Sequence, residues 1–269
     1  MKLLIVGNSH AYALKHAHDM PGSRFAGDMT FLCAPDKGLD LAIDNGRMRC
    51  VGAGAHALYA DCVSRPEMVI DEHDMVVVVG LALQPYQALR LHKRGYRLFP
   101  HTSEGKVLLS RAAFAAALTG LMNDCMAIRT ASLLRRHTTR PMILVPQPMP
   151  LARLALTPRT ARAEALAERW RPFLSEPALG RELEQLFETA TARHGTRLGF
   201  QFAAQPASTR DGLFTRDDCG IRHQSAFDPM TRRALEQDDL NHMNADYGRA
   251  VLAQLGEMIA GPVDGQGKA

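Results

Sequence analysis

The chain has 269 residues, 46% apolar and 22% charged, proportions ordinary for a soluble globular protein, and it is long enough to bury the core of one large α/β domain. A net charge of +4 with Lys and Arg spread among acids argues against a nucleic-acid partner, and the basic stretches at 135–140 and 153–171 read as solvated helix faces. Five cysteines with no CxxC and no zinc-type spacing suggest buried thiols in a reducing compartment; no apolar run reaches the ~20 residues of a membrane span, so a cytoplasmic location is expected.

Four short apolar runs, each ending at a turn residue, mark the first 150 residues: Leu3 to Val6, Met29 to Cys33, Met75 to Val79 and Met142 to Val145. Continuous rather than alternating apolar runs suit strands buried on both faces, hence a parallel sheet covered by helices. Met48 to Gly52 adds a short strand or hairpin arm. Ser110 to Arg136, rich in Ala and Leu, predicts one long helix or two. Ala161 to Thr191 predicts helix with breaks at Pro172, Pro177 and Gly180, and residues 100–195 together read as a helical elaboration of a single domain spanning 1–260. Arg197 to Phe202 is a candidate fifth strand, and Gln205 to Pro229 a polar surface loop. Asn244 is a good N-cap for a last helix, with Asp246 in its first turn and an apolar stripe of Val251, Leu252, Leu255, Met258 and Ile259. A frayed tail, 261–269, follows.

Two motifs carry chemistry. The first strand stops at Gly7-Asn8-Ser9-His10 and presents a serine; Asp239-Leu240-Asn241-His242 precedes the last helix. A serine hydroxyl attacks an acyl group only when a base takes its proton, and the base needs a carboxylate to fix its tautomer. Ser9, His242 and Asp239 can fill those roles, with Asp238 the alternative carboxylate. The Ser9 N–H, at the passage from strand to helix, is placed to meet a developing oxyanion, and the strand end is where open α/β sheets bind ligands.

These two blocks resemble those of the SGNH/GDSL hydrolase superfamily, whose first block is Gly-Asp-Ser (Asn8 standing here for the acid) and whose last is Asp-x-x-His. The resemblance implies a flavodoxin-like three-layer α/β/α sandwich of about five parallel strands. It also implies a serine esterase without a cofactor, with Ser9 as nucleophile, His242 as base and Asp239 as orienter. The substrate class it implies is an acyl ester, O-acetyl or another short acyl group, with carbohydrate esters the family-level expectation. Where the family carries Gly-x-Asn-Asp after its third strand, this chain reads Gly80-Leu81-Ala82-Leu83, so Ala82 replaces the oxyanion-binding Asn. Gly80 is the block's glycine, Gln84 the nearest side-chain amide that could stand in, and Gly38 or Gly52 the glycine of the second block. Losing one oxyanion donor typically costs about 3 kcal/mol of transition-state stabilisation.

Other readings follow from the same residues. Gln147, after the fourth strand, lies at the same sheet edge as Ser9 and is a candidate substrate contact. His101 and His223 fall in turn-rich segments that could line a substrate mouth. The spacing of His10, His16 and His18 does not gather a metal, and these are expected to be exposed or partner-bound. Gly52-x-Gly54 lacks the third glycine of a dinucleotide fingerprint. Transfer of the acyl group to a sugar hydroxyl is one alternative activity. A non-catalytic binding module on a degenerate form of the fold is the other.

Overall fold

The computed structural model describes residues 1–21, 25, 27–34, 39–52, 63–101, 107–156, 160–221, 227–228, 233–234 and 239–260. Each apolar run of the sequence becomes a parallel strand: β1 (Lys2–Gly7), β2 (Asp28–Cys33), β3 (Met75–Val79) and β4 (Met142–Val145), joined at one edge by the two-residue β5 (Gln201–Phe202). Their order across the sheet is β5-β4-β3-β1-β2. Leu3 to Val6, Val76 to Val79 and Met142 to Val145 are all buried, which explains why the runs are unbroken by polar residues.

Seven helices surround the sheet among the described residues: α1 (Ala11–Asp19), α2 (Tyr86–Lys93), α3 (Arg111–Met122), α4 (Met126–Arg135), α5 (Ala161–Ser175), α6 (Pro177–Leu198) and α7 (Ala245–Ala260). The step from β1 to β2 crosses the sheet one way, and the steps from β3 through β4 to β5 cross it the other way. Right-handed crossovers therefore put the connecting helices on opposite faces, giving a three-layer α/β/α sandwich with the flavodoxin-like strand order. The point where the order reverses lies between β1 and β3. α7 returns to pack along α1. No described helix is long and apolar enough to cross a membrane.

Several elements differ from the sequence reading. The stretch 110–136 forms two helices, α3 capped by the Ser110 hydroxyl accepting from the Ala113 N–H at 3.2 Å. Pro172 lies within α5 and Gly180 within α6, so neither breaks its helix, whereas Pro177 does open a new one. The expected strand 197–202 shrinks to Gln201–Phe202, because α6 runs to Leu198 and ends at Gly199 in the left-handed region (φ 68°). Residues 205–221 are not a bare surface loop: Leu213, Phe214, Thr215 and Cys219 are buried, and a hairpin pairs Arg210–Asp211 with Phe214–Thr215. Met48 sits in a three-stranded antiparallel sheet formed by Leu41–Asp44, Arg47–Cys50 and Glu67–Val69. The tail 261–269 lies outside the described residues.

Candidate active site

β1 delivers Ser9. Its last residue, Gly7, pairs with Cys33 on one side and Val79 on the other, and a Cβ there would stand 2.7 Å from the Val79 carbonyl oxygen. The chain then turns directly into α1, with the Ala11 N–H donating to the Asn8 carbonyl (2.9 Å) and the Tyr12 N–H to the Ser9 carbonyl (3.2 Å). Ser9 is half-buried at that turn, and its N–H donates to none of the described groups.

The other half arrives on the loop ahead of α7. The Asn244 side chain caps that helix, its Oδ1 accepting from the N–H groups of Asp246 (3.0 Å) and Tyr247 (3.2 Å), while its Nδ2 donates to the Asp218 and Gly220 carbonyls. The Leu151 N–H donates to the Leu240 carbonyl (2.9 Å), the Arg153 guanidinium to the Asp239 carbonyl (3.0 Å), and the Ile221 N–H to the His242 carbonyl (3.3 Å). Segments after β4 and around Cys219 thus clamp the loop from two sides.

The three residues meet. His242 Nε2 lies 3.1 Å from Ser9 Oγ, and His242 Nδ1 lies 2.6 Å from Asp239 Oδ2. The second carboxylate oxygen accepts from the Asn241 N–H (2.9 Å) and the His242 N–H (3.0 Å), so the Asp-x-x-His spacing is one tight turn around a carboxylate. Asp239 is buried, with 8% of its side chain exposed, against 24% for His242. Burial works to raise the Asp239 pKa, but the hydrogen bond and charge of His242 and the two backbone donors outweigh it and hold the carboxyl well below the usual range. An ionised carboxylate only accepts, so Nδ1 carries the imidazole proton and Nε2 is left to accept from the Ser9 hydroxyl. The competing carboxylate, Asp238, lies outside the described residues.

The expected oxyanion residues fare differently. The Gly80 N–H donates to the Val145 carbonyl at 3.0 Å and is therefore spent in the sheet rather than offered to a substrate. What makes Gly80 necessary is steric: its φ is 74°, and a Cβ would fall 2.2 Å from Asn8 Oδ1. Gly80, Leu81 and Ala82 are all left-handed, with φ of 74°, 50° and 60°. The turn is closed by the Leu83 N–H donating to the Gly80 carbonyl (2.9 Å), and every carbonyl in it is occupied. That of Leu81 accepts from the Ala127 N–H, that of Ala82 from Gln87 Nε2 and that of Leu83 from the Gln147 N–H. The N–H groups of Leu81 and Ala82 donate to none of the described groups. Two consecutive non-glycine residues in this region each cost about 1–2 kcal/mol, strain of a kind that gathers at functional sites.

Gln147 is tied by its backbone to this turn (2.7 Å to the Leu83 carbonyl) and is half-buried; Gln84 lies two residues before α2, its carbonyl accepting from the Gln87 N–H. Gly52 follows the Arg47–Cys50 strand, where a Cβ would come nearest Asp40 Oδ2 at 3.9 Å, so it is brought to Asp40 and not to the triad. Gly38 and His223 lie outside the described residues. His101 Nε2 is 3.4 Å from Glu182 on α6.

Two residues at the site went unread in the sequence. Arg153, grouped there with solvated basic residues, holds the Asp239 carbonyl. His10, expected to be exposed or partner-bound, is buried, and its ring stacks on His242 with centroids 5.5 Å apart and planes 22° from parallel. No spacing in the sequence signals either contact, because both partners lie at the far end of the chain. Among the described residues no group of three or more His, Cys, Asp or Glu could hold a metal ion. No protein-family model, no curated protein and no solved structure matches the chain.

Proposed function

We propose that this protein is a serine-dependent acyl hydrolase of the SGNH/GDSL type, acting on a short-chain acyl ester. One observation carries the reading: the continuous hydrogen-bond chain from Ser9 Oγ through the His242 ring to a buried, ionised Asp239. In this scheme His242 Nε2 takes the hydroxyl proton as Ser9 Oγ attacks the acyl carbon, and Asp239 stabilises the imidazolium that results. The tetrahedral intermediate collapses as His242 returns that proton to the departing alkoxide, leaving an acyl-serine ester. A water molecule, deprotonated in turn by His242, hydrolyses that ester and regenerates the serine.

The oxyanion needs at least two donors. The Ser9 N–H is one. Since the Gly80 N–H is committed to the sheet, we place the second in the Leu81–Ala82 turn, which sits against Asn8 and has its N–H groups unspent among the described residues. A backbone donor there would stand in for the missing carboxamide at position 82.

Intact-mass spectrometry after incubation with p-nitrophenyl acetate tests the proposal. An acetyl adduct on the wild-type chain and none on Ser9→Ala is the expected result. A folded wild type that takes up neither this acyl group nor a fluorophosphonate probe refutes serine chemistry and leaves a non-catalytic binding module. Turnover that appears only when a sugar acceptor is supplied identifies an acyltransferase.

A further inference from the structure

His10 is the ionisable side chain at the site that the acyl-transfer scheme leaves without a task. It follows the nucleophile directly and forms the N-terminal boundary of α1, its backbone N–H donating to Asn8 Oδ1 at 3.3 Å. The side chain is buried, 7% of the residue remaining exposed, and its Nδ1 has no hydrogen-bond partner among the described residues. Burial first, and the neighbouring His242 second, lower its pKa to about 3 against the opposing pull of Asp239, so the ring is uncharged at neutral pH. Among the described residues, His242 and Asp239 are the ionisable groups that act on it.

The bonds that hold His242 lie at its edges. Nδ1 meets Asp239 and Nε2 meets Ser9 at the rim of the ring, both contacts made near its plane. His10 instead packs on the face of the ring, where a swing away from Ser9 in that direction would meet it.

We propose, building on the serine chemistry above, that His10 is a positioning residue for the base: its flat ring walls one face of His242 and limits how far that ring swings from the Ser9 hydroxyl. Because His10 is the next residue after Ser9, wall and nucleophile are fixed to the same stretch of backbone and move together. Neutrality matters to this role, since a cationic wall would repel the imidazolium formed during attack. The wall also keeps water from that face.

The rate of fluorophosphonate labelling, measured across pH beside a thermal melt for wild type, Ser9→Ala, His10→Ala and His10→Phe, tests the assignment. His10→Ala is expected to label about 10–100-fold more slowly, the scale of a misplaced catalytic group. Its acid limb should move to higher pH, because a hydrated face favours the protonated ring. His10→Phe keeps a flat ring and loses no hydrogen bond at Nδ1, so it is expected to label near the wild-type rate with the limb in place. Should His10→Ala fail to fold, His10→Leu fills the space without a plane and is expected to show the same slowing. The proposal is overturned if the non-planar variants match wild type in both rate and profile, or if His10→Phe is as slow as they are. The first result makes the stack incidental, and the second assigns the role to the ring nitrogens. A folded wild type that does not label at all overturns the serine chemistry and this assignment with it, a result distinct from a labelled wild type whose His10 variants are indistinguishable from it.

Discussion

If Ser9 and His242 act as proposed, the distance between them should depend on the crossing of the two helices that follow them. α1 begins two residues after Ser9 and α7 three residues after His242, and the two helices meet where Gly248 faces Ala13 and Ala17. A Cβ on Gly248 would stand 1.9 Å from the Ala13 carbonyl oxygen, 2.6 Å from its carbon and 2.8 Å from the Ala17 Cβ. Ordinary contact between such atoms begins near 3.5 Å, and the nearest obstacle is backbone that no rotamer change can move, so Gly248→Ala must part the helices by roughly 1–2 Å. Overpacking of this kind costs about 1–3 kcal/mol, offset by about 1 kcal/mol of helix propensity gained over glycine. The melting temperature should therefore fall by a few degrees. The rate should suffer more, because Ser9 Oγ and His242 Nε2 are only 3.1 Å apart and a misplacement of about 1 Å costs about 10²-fold. Gly256, on the same helix with nothing within 4 Å of an added Cβ, provides the control: Gly256→Ala should leave the rate alone and raise stability by up to about 1 kcal/mol. The assay is p-nitrophenyl acetate turnover beside a thermal melt. If Gly248→Ala matches Gly256→Ala in both, the crossing does not set the geometry of the site and the reasoning fails.

Asp239→Asn should lower kcat/KM by about 10⁴-fold, because an amide donating to Nδ1 forces the imidazole proton onto Nε2, where it faces Ser9; turnover with p-nitrophenyl acetate measures it. The same variant bears on acid stability. With its folded pKa depressed, Asp239 contributes stability above its unfolded value of about 4 and loses it as pH falls further, so urea unfolding of Asp239→Asn should depend less on pH below about 4 than that of wild type. His10 has a linkage of the same sign at higher pH: buried neutral with a pKa near 3, it leaves the unfolded chain binding the extra proton below the ordinary histidine value of about 6.5. Wild-type stability should fall by about 1.4 kcal/mol per pH unit from this group between roughly pH 6 and 4, a slope that His10→Phe removes. Gly80→Ala combines a left-handed φ with a clash on Asn8, and should cost about 2–4 kcal/mol in chemical denaturation while slowing fluorophosphonate labelling through the displaced Ser9 turn.

What the sequence made legible follows the range of the interactions involved. The parallel sheet was readable because burial on both faces writes itself as unbroken apolar runs, as in Leu3 to Val6 and Val76 to Val79. The α7 cap was readable because Asn244 bonds to N–H groups two and three residues away. The Asp239–His242 pair was readable for the same reason, its carboxylate being bonded within its own turn. Helix breaks were misjudged at Pro172 and Gly180 because packing overrode propensity there: Gly180 is the point where Leu213 approaches α6, with an added Cβ 2.6 Å from its Cδ1. The short β5 was overdrawn because the apolar Leu198 and Phe200 serve the end of α6 and the core rather than a strand.

The oxyanion region shows where a pattern of side chains stops being informative. Ala82 looks like a loss when the comparison is between side chains, since a carboxamide is absent. The backbone at the same position is left-handed, and its neighbouring carbonyls are each held by a donor from another element: Ala127 at the start of α4, Gln87 on α2 and Gln147 after β4. A turn so held cannot relax its strain by rotating a peptide, because rotation would break a hydrogen bond to a separate element. On the proposed serine chemistry, its N–H groups, which donate to none of the described groups, are held in direction ahead of the substrate, the condition for stabilising a developing charge without reorganisation. That fixity comes from two distant segments and the helix that follows the turn converging on four residues, and nothing in Gly80-Leu81-Ala82-Leu83 itself encodes it.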